Sequence, residues 1–125
     1  MKEGTRQLLD KAARAIRAAV TLVRDDDLDF AAGRAYYAMF YVAEALLHER
    51  DLGSKKHGGV HALFGEHFVK TGIVHPKFHR WLLLAFNARL IGDYGFVASV
   101  SKEDALSMIE QAREFLGEAA KFLDS

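Results

Sequence analysis

Arg89-Leu90-Ile91-Gly92-Asp93-Tyr94 is the polar stretch of this chain best suited to chemistry. Arg89 and Asp93 stand four apart, so on a helix they share a face and can pair, although acid after base is the weaker orientation. As a structural pair they would pin a helix end. As a site, Arg89 would hold a phosphate, Asp93 would orient it, and Tyr94 would stack or donate. Lys56-His57-Gly58-Gly59 is the second candidate. A cation, an imidazole and glycine amides at a helix start suit an anion, and a soluble loop is the plainer reading. The stretch falls short of a phosphate-loop consensus. No serine–histidine–acid or paired-carboxylate arrangement competes with these two.

The histidines raise the question of a metal. His57 and His61 are four apart, as are His75 and His79, a spacing that puts two imidazoles on one helical face. Pro76 biases His75 away from helical geometry, His57 lies beside two glycines, and the nearest carboxylate in the region is Glu66. We therefore expect surface or helix-terminal histidines, no metal and no cofactor.

Composition narrows the classes further. The chain has 125 residues, half of them hydrophobic, enough for one domain with a real core. It has no cysteine, which removes disulfides, thiolate zinc sites and thiol nucleophiles together. No apolar run reaches membrane-spanning length and no secretion leader is evident, so a cytoplasmic protein that avoids membranes is expected. Formal net charge is zero, yet residues 50–89 hold seven basic and two acidic side chains and five of the six histidines. That segment is either a phosphate-facing patch or a basic surface balanced by an acidic last helix.

The elements that must position these groups are all helical. Residues 4–24 repeat apolar positions from Leu9 to Val23 at helical spacing. Residues 28–50 are rich in alanine and leucine, and form the centre of the chain. One face carries Ala32, Ala35, Tyr36, Met39, Ala43, Leu46 and Leu47, and a second stripe carries Arg34, Tyr37, Tyr41, Glu44 and His48. The stripe is either a row at the core edge with hydroxyls in water or a surface that meets a second subunit or a ligand. Asp25-Asp26-Asp27 offers N-cap oxygens to the central helix, and Gly53 suits its C-terminal cap. Val60, Leu63, Phe64 and Phe68 mark a short third helix ended by Thr71-Gly72. Pro76 opens a fourth that ends around Gly92 and Gly95, followed by a connector from Phe96 to Val100. Ser101-Lys102-Glu103-Asp104 resembles a capping-box start for a long last helix. The expectation is an all-α, five-helix antiparallel bundle forming a single domain over residues 1–125.

Arg34-Ala-Tyr-Tyr-Ala-Met-Phe, Lys56-His57-Gly-Gly-Val, Leu63-Phe64, Phe68-Val69-Lys70-Thr71-Gly72, and Arg89 with Asp93-Tyr94-Gly95 together resemble the HEPN domain family, in its small stand-alone prokaryotic branch. The resemblance covers about residues 28–122. It implies a compact helical homodimer, often encoded beside a minimal nucleotidyltransferase in toxin–antitoxin-like pairs. Many members are metal-independent ribonucleases, whose arginine and nearby downstream histidine meet their symmetry mates in a cleft between subunits. Arg89 matches that arginine, but the fifth residue after it is Tyr94 and no histidine follows nearby. Arg50 and His57 meet the spacing across a loop, a match we read as chance. Cleavage through a 2′-hydroxyl needs a group that exchanges a proton near neutrality, which tyrosine, with a pKa of about 10, does poorly. His57 would substitute if the fold brings it to Arg89.

Two functions follow. The first is a dimeric binding module for RNA, a nucleotide or a nucleotidyltransferase partner, with little catalysis. Lys56, His57, Arg89 and Asp93 would hold the ligand, and Arg34, Tyr37 and Tyr41 would form the dimer interface. The alternative is a metal-independent endoribonuclease toxin using Arg89 with His57 or Tyr94.

Overall fold

Alanine is prominent on the buried faces of the first two helices. Ala12, Ala15 and Ala19 of α1 (Glu3–Arg24) and Ala31, Ala32, Ala35, Ala38 and Ala43 of α2 (Leu28–Glu49) are all buried, and side chains this small let two helix axes approach closely. The computed structural model describes residues 1–94 and 100–124, with residues 92–94 described by their helical backbone alone. The remaining elements are α3 (His57–Phe64), continued by a π-helical turn over Gly65–Val69, then α4 (Pro76–Tyr94) and α5 (Lys102–Asp124). Among the described residues there is no strand, and no helix is long and apolar enough to cross a membrane. The bundle is all-α with five helices, as its spacing implied.

Helix α2 is the axis of the fold and packs against α1, α3, α4 and α5. A helix enclosed on several sides must be apolar around most of its circumference, and Tyr36, Met39, Val42, Leu46 and Leu47 are fully buried. Thr5 on α1 is buried as well, its hydroxyl donating to Glu49 Oε1 at 2.8 Å and tying the start of α1 to the end of α2. The Phe115 ring meets Phe64 at 5.3 Å and Phe78 at 5.0 Å between centroids, fastening α3, α4 and α5 together.

The helix ends depart from the sequence reading. Asp27 occupies the N-cap of α2 but makes no side-chain capping bond. The aspartate run instead stops α1. Asp26 takes a left-handed φ of 61°, its N–H reaches Val23 C=O, and the Asp27 N–H reaches Leu22 C=O. The same closure ends α2. Asp51 is left-handed at φ 59°, with Asp51 N–H to His48 C=O and Leu52 N–H to Leu47 C=O, so Asp51 fills the place assigned to Gly53. Aspartate is among the few non-glycine residues that visit this region. Other stops agree with the reading. Gly72 is left-handed at φ 78°, and Ser101 Oγ accepts the Asp104 N–H at 3.0 Å to start α5. Helix α4 runs past Gly92 to Tyr94. The connector expected from Phe96 lies outside the described residues except for Val100, which is buried.

Candidate functional site

Adjacent tyrosines on a helix diverge by about 100°, and Tyr36-Tyr37 uses that divergence to join the core to a cavity. Tyr36 points inward and is fully buried, while Tyr37 is half-buried at the α2 edge. Arg34, one turn before, lies over the Tyr37 ring with its guanidinium carbon 4.8 Å from the centroid. Arg89 arrives from α4 and lies over the same ring at 5.2 Å and over Tyr36 at 6.0 Å. Both arginines line one cavity of about 430 Å³ with Leu22, Phe30, Gly33 and Tyr37. Phe30 is 62 % exposed at its rim. Gly33 is a wall of this cavity, and a Cβ placed there would stand 3.9 Å from Arg89 Cγ.

Behind Tyr37 lies a hydrogen-bonded chain of side chains. The Tyr36 hydroxyl is 2.8 Å from His57 Nδ1 and 2.9 Å from His61 Nε2. His57, first residue of α3, stacks on Phe40 with centroids 4.4 Å apart and meets the Tyr37 ring edge-on at 5.6 Å. His61, one turn later, is 6 % exposed. Its carbonyl accepts from His79 Nε2 at 3.1 Å, which ties α3 to α4. Burial first, then Arg89, lowers the His57 pKa, and burial with His57 and His79 lowers that of His61 to about 4. Both imidazoles are therefore neutral at pH 7. Burial, with Tyr37 beside it, raises the Tyr36 phenol above its usual range, so it stays a hydroxyl.

The fold thus gathers Arg34, Tyr37, His57 and Arg89 into one neighbourhood from α2, α3 and α4. Neither His57 nor Lys56 lines the cavity itself: His57 lies behind it, against the Tyr36 and Tyr37 rings that Arg89 covers, whereas Lys56 is exposed at the N-cap of α3, where its N–H donates to Ser54 Oγ. Gly58 and Gly59 form the first turn of α3 rather than a loop, with Gly59 pressed against Ser54. Tyr41 is half-buried and carries Lys11 over its ring at 4.7 Å. The side chains of Asp93 and Tyr94 lie outside the described residues.

Tyr36, His61, Phe30 and Gly33 escaped the sequence reading as site residues. His61 is not a surface histidine; a buried tyrosine hydroxyl requires a polar partner, and the histidine pair supplies it. That requirement was the available signal. Among the described residues no group of three or more potential metal ligands converges. The ring nitrogens His57 Nδ1 and His61 Nε2 face a phenol instead.

Comparison with known proteins agrees with this architecture. The chain is 39 % identical over 117 residues to "UPF0332 protein glr0978" of Gloeobacter violaceus, covering 93 % of each chain. It is 32 % identical over 124 residues to "Putative toxin MJ0142" of Methanocaldococcus jannaschii, covering 99 % of this chain and 84 % of the relative. A UPF0332 protein of Thermotoga maritima is 34 % identical over 114 residues, 91 % of this chain and 86 % of the relative. The HEPN domain family matches residues 5–122. With all five helices inside that match or overlapping its ends, the chain belongs to the HEPN domain family.

Proposed function

We propose that this HEPN protein is a homodimer that binds single-stranded RNA or nucleotide phosphate in the Arg34–Tyr37–Arg89 cavity, with little cleavage. Two guanidiniums over one tyrosine ring in a shared cavity carry this reading. Arginine recognises phosphate through charge and paired donors, and aromatic rings beside it offer stacking to bases. Exposed Phe30 at the rim adds a second ring. The toxin name of the Methanocaldococcus relative, with the family's habit of pairing, makes a minimal nucleotidyltransferase the protein partner of this reading. An adjacent nucleotidyltransferase gene would support the pair.

Binding to a single-stranded oligouridylate should weaken as salt rises. Two neutralised phosphates give a log–log slope of about −1.4, and Arg89→Ala should reduce it by about 0.7. A salt-independent signal, or an unchanged Arg89→Ala variant, refutes the phosphate site. For the dimer, Arg34 is exposed while the Tyr37 and Tyr41 rings lie 5.8 Å apart, tilted by 35°, on the same α2 edge. Light scattering showing a monomer at tens of micromolar refutes the dimer, missing only association weaker than about −6 kcal/mol.

His57 beside Arg89 favours a second reading, a metal-independent endoribonuclease. Its imidazole is neutral at pH 7 and within the electrostatic reach of Arg89, which suits a proton acceptor next to a phosphate-binding cation. Chelator-resistant cleavage lost in Arg89→Ala but retained in Lys121→Ala would establish it. His57→Ala and Tyr94→Phe would then identify the proton carrier.

A further inference from the structure

A phenol has one hydrogen, and among the described residues both polar contacts of Tyr36 are to ring nitrogens. It must donate to one imidazole and accept the N–H of the other. The two tautomers are thereby linked: the proton position on His57 determines that on His61. Whichever ring accepts the hydroxyl hydrogen carries its own proton on the far nitrogen. His61 is the deeper ring, 6 % exposed inside α2, α3 and α4 with Phe86 5.1 Å away and His79 on its carbonyl, so a far-side N–H there would be cut off from water. His57 is half-exposed at the helix start. Donation to His57 Nδ1 is therefore favoured, with His61 Nε2–H donating back to the Tyr36 oxygen.

The geometry points to Tyr36, braced by His61, as the positioning residue of the phosphate site: it holds His57 Nδ1 as an acceptor and so leaves the His57 proton on Nε2, across the ring, as a donor to an anion beside Arg89. The inference rests on the phosphate reading of the cavity and adds His57 to its recognition set through two residues that never touch the ligand. A neutral N–H donor adds a hydrogen bond without adding a third full charge to those of Arg34 and Arg89. The aromatic frame fixes the ring plane, since Phe40 covers it at 4.4 Å with the rings 23° apart. Packing alone does not distinguish one ring nitrogen from the other. The hydroxyl does.

The test begins with long-range proton–nitrogen spectra of the unmodified free protein at neutral pH. The expected result is Nε2–H on both His57 and His61, with His57 Nδ1 unprotonated. A His57 carrying its proton on Nδ1 overturns the proposal and needs no variant. Binding to single-stranded oligouridylate then measures the consequence. Tyr36→Phe, which keeps the buried ring, should release His57 into mixed tautomers and weaken binding about twofold, the cost of halving the competent population. His57→Ala should weaken binding about three- to tenfold, the range of one neutral hydrogen bond, and adding Tyr36→Phe to it should weaken binding no further. Additive losses would show that Tyr36 acts through general packing, and would overturn the positioning role. The expected tautomers in a protein that binds no oligouridylate would uphold the relay but refute the phosphate reading on which its function depends.

Discussion

Acidification should destabilise this fold between pH 6.5 and 4, and His61 is the reason. The ring is 6 % exposed, bonded to Tyr36, and held to a pKa of about 4 in the folded chain. An unfolded histidine titrates near 6.5. Between those values the unfolded chain binds the extra proton, so stability rises with pH and falls as pH drops through this window. The full difference corresponds to about 3 kcal/mol, of which about 2 kcal/mol should be lost between pH 7 and pH 5. His57 adds to the loss in the same direction, because burial and Arg89 lower its pKa too. The groups around His61 reinforce the effect: His57 and His79 both oppose its protonation, while Tyr36 is raised and remains uncharged. Glu44, raised above its usual range by burial, works the other way and offsets part of the loss as it protonates, while the carboxylates of Glu49 and Asp51, held below their usual range by contacts from Lys2 and Thr5, act only at lower pH. Urea unfolding at half-unit pH steps should therefore show a decline between 6.5 and 4. His61→Gln keeps a polar group beside Tyr36 but cannot titrate, and should flatten much of that decline. A free energy constant from pH 7 to 5, or an unchanged slope in His61→Gln, would refute the reasoning.

Other perturbations have equally definite outcomes. Gly33→Ala should raise stability by about 0.5–1 kcal/mol from helix propensity, since its Cβ meets only Arg89 Cγ at 3.9 Å; thermal melts check the gain and oligouridylate binding its cost to the cavity. Phe115→Ala removes the ring shared by Phe64 and Phe78 and should cost about 3–5 kcal/mol in denaturant titration. Ser101→Ala deletes the cap on Asp104 N–H and should cost about 1 kcal/mol, whereas an exposed control such as Lys121→Ala should change little.

The fold was legible where one physical term dominated. Regular apolar spacing located α1, α2 and α5, and Ser101 announced the last helix because its hydroxyl had an orphan N–H to accept. Asp25-Asp26-Asp27 misled because the same residue type serves as an N-cap and, less often, as a left-handed stop. In the structure Asp26 stops α1, and Asp51 pre-empts Gly53 in the same way. The π-turn after Phe64 had no local signature. Its widened closure, Lys70 N–H to Gly65 C=O, sits where Phe68 enters the core and His79 packs against Gly65. These are tertiary conditions that no local spacing records.

The site was half legible for a related reason. Sequence chemistry identified Arg89, His57, Arg34 and Tyr37 separately, because each combines charge or a titratable ring with a position at an element's edge. It could not rank Lys56 against them, since their convergence depends on α2, α3 and α4 meeting around Tyr37. Tyr36 was placed correctly on the buried face, yet burial of a phenol leaves a polar atom that must be satisfied. Its partners lie 21 and 25 residues away, one helical turn apart from each other. The four-residue spacing of His57 and His61 therefore had a cause other than metal binding: two rings on one helical face reach one hydroxyl on a neighbouring helix. What the core requires of Tyr36 also bears on the imidazole next to Arg89, so stability and the proposed ligand recognition draw on the same three side chains.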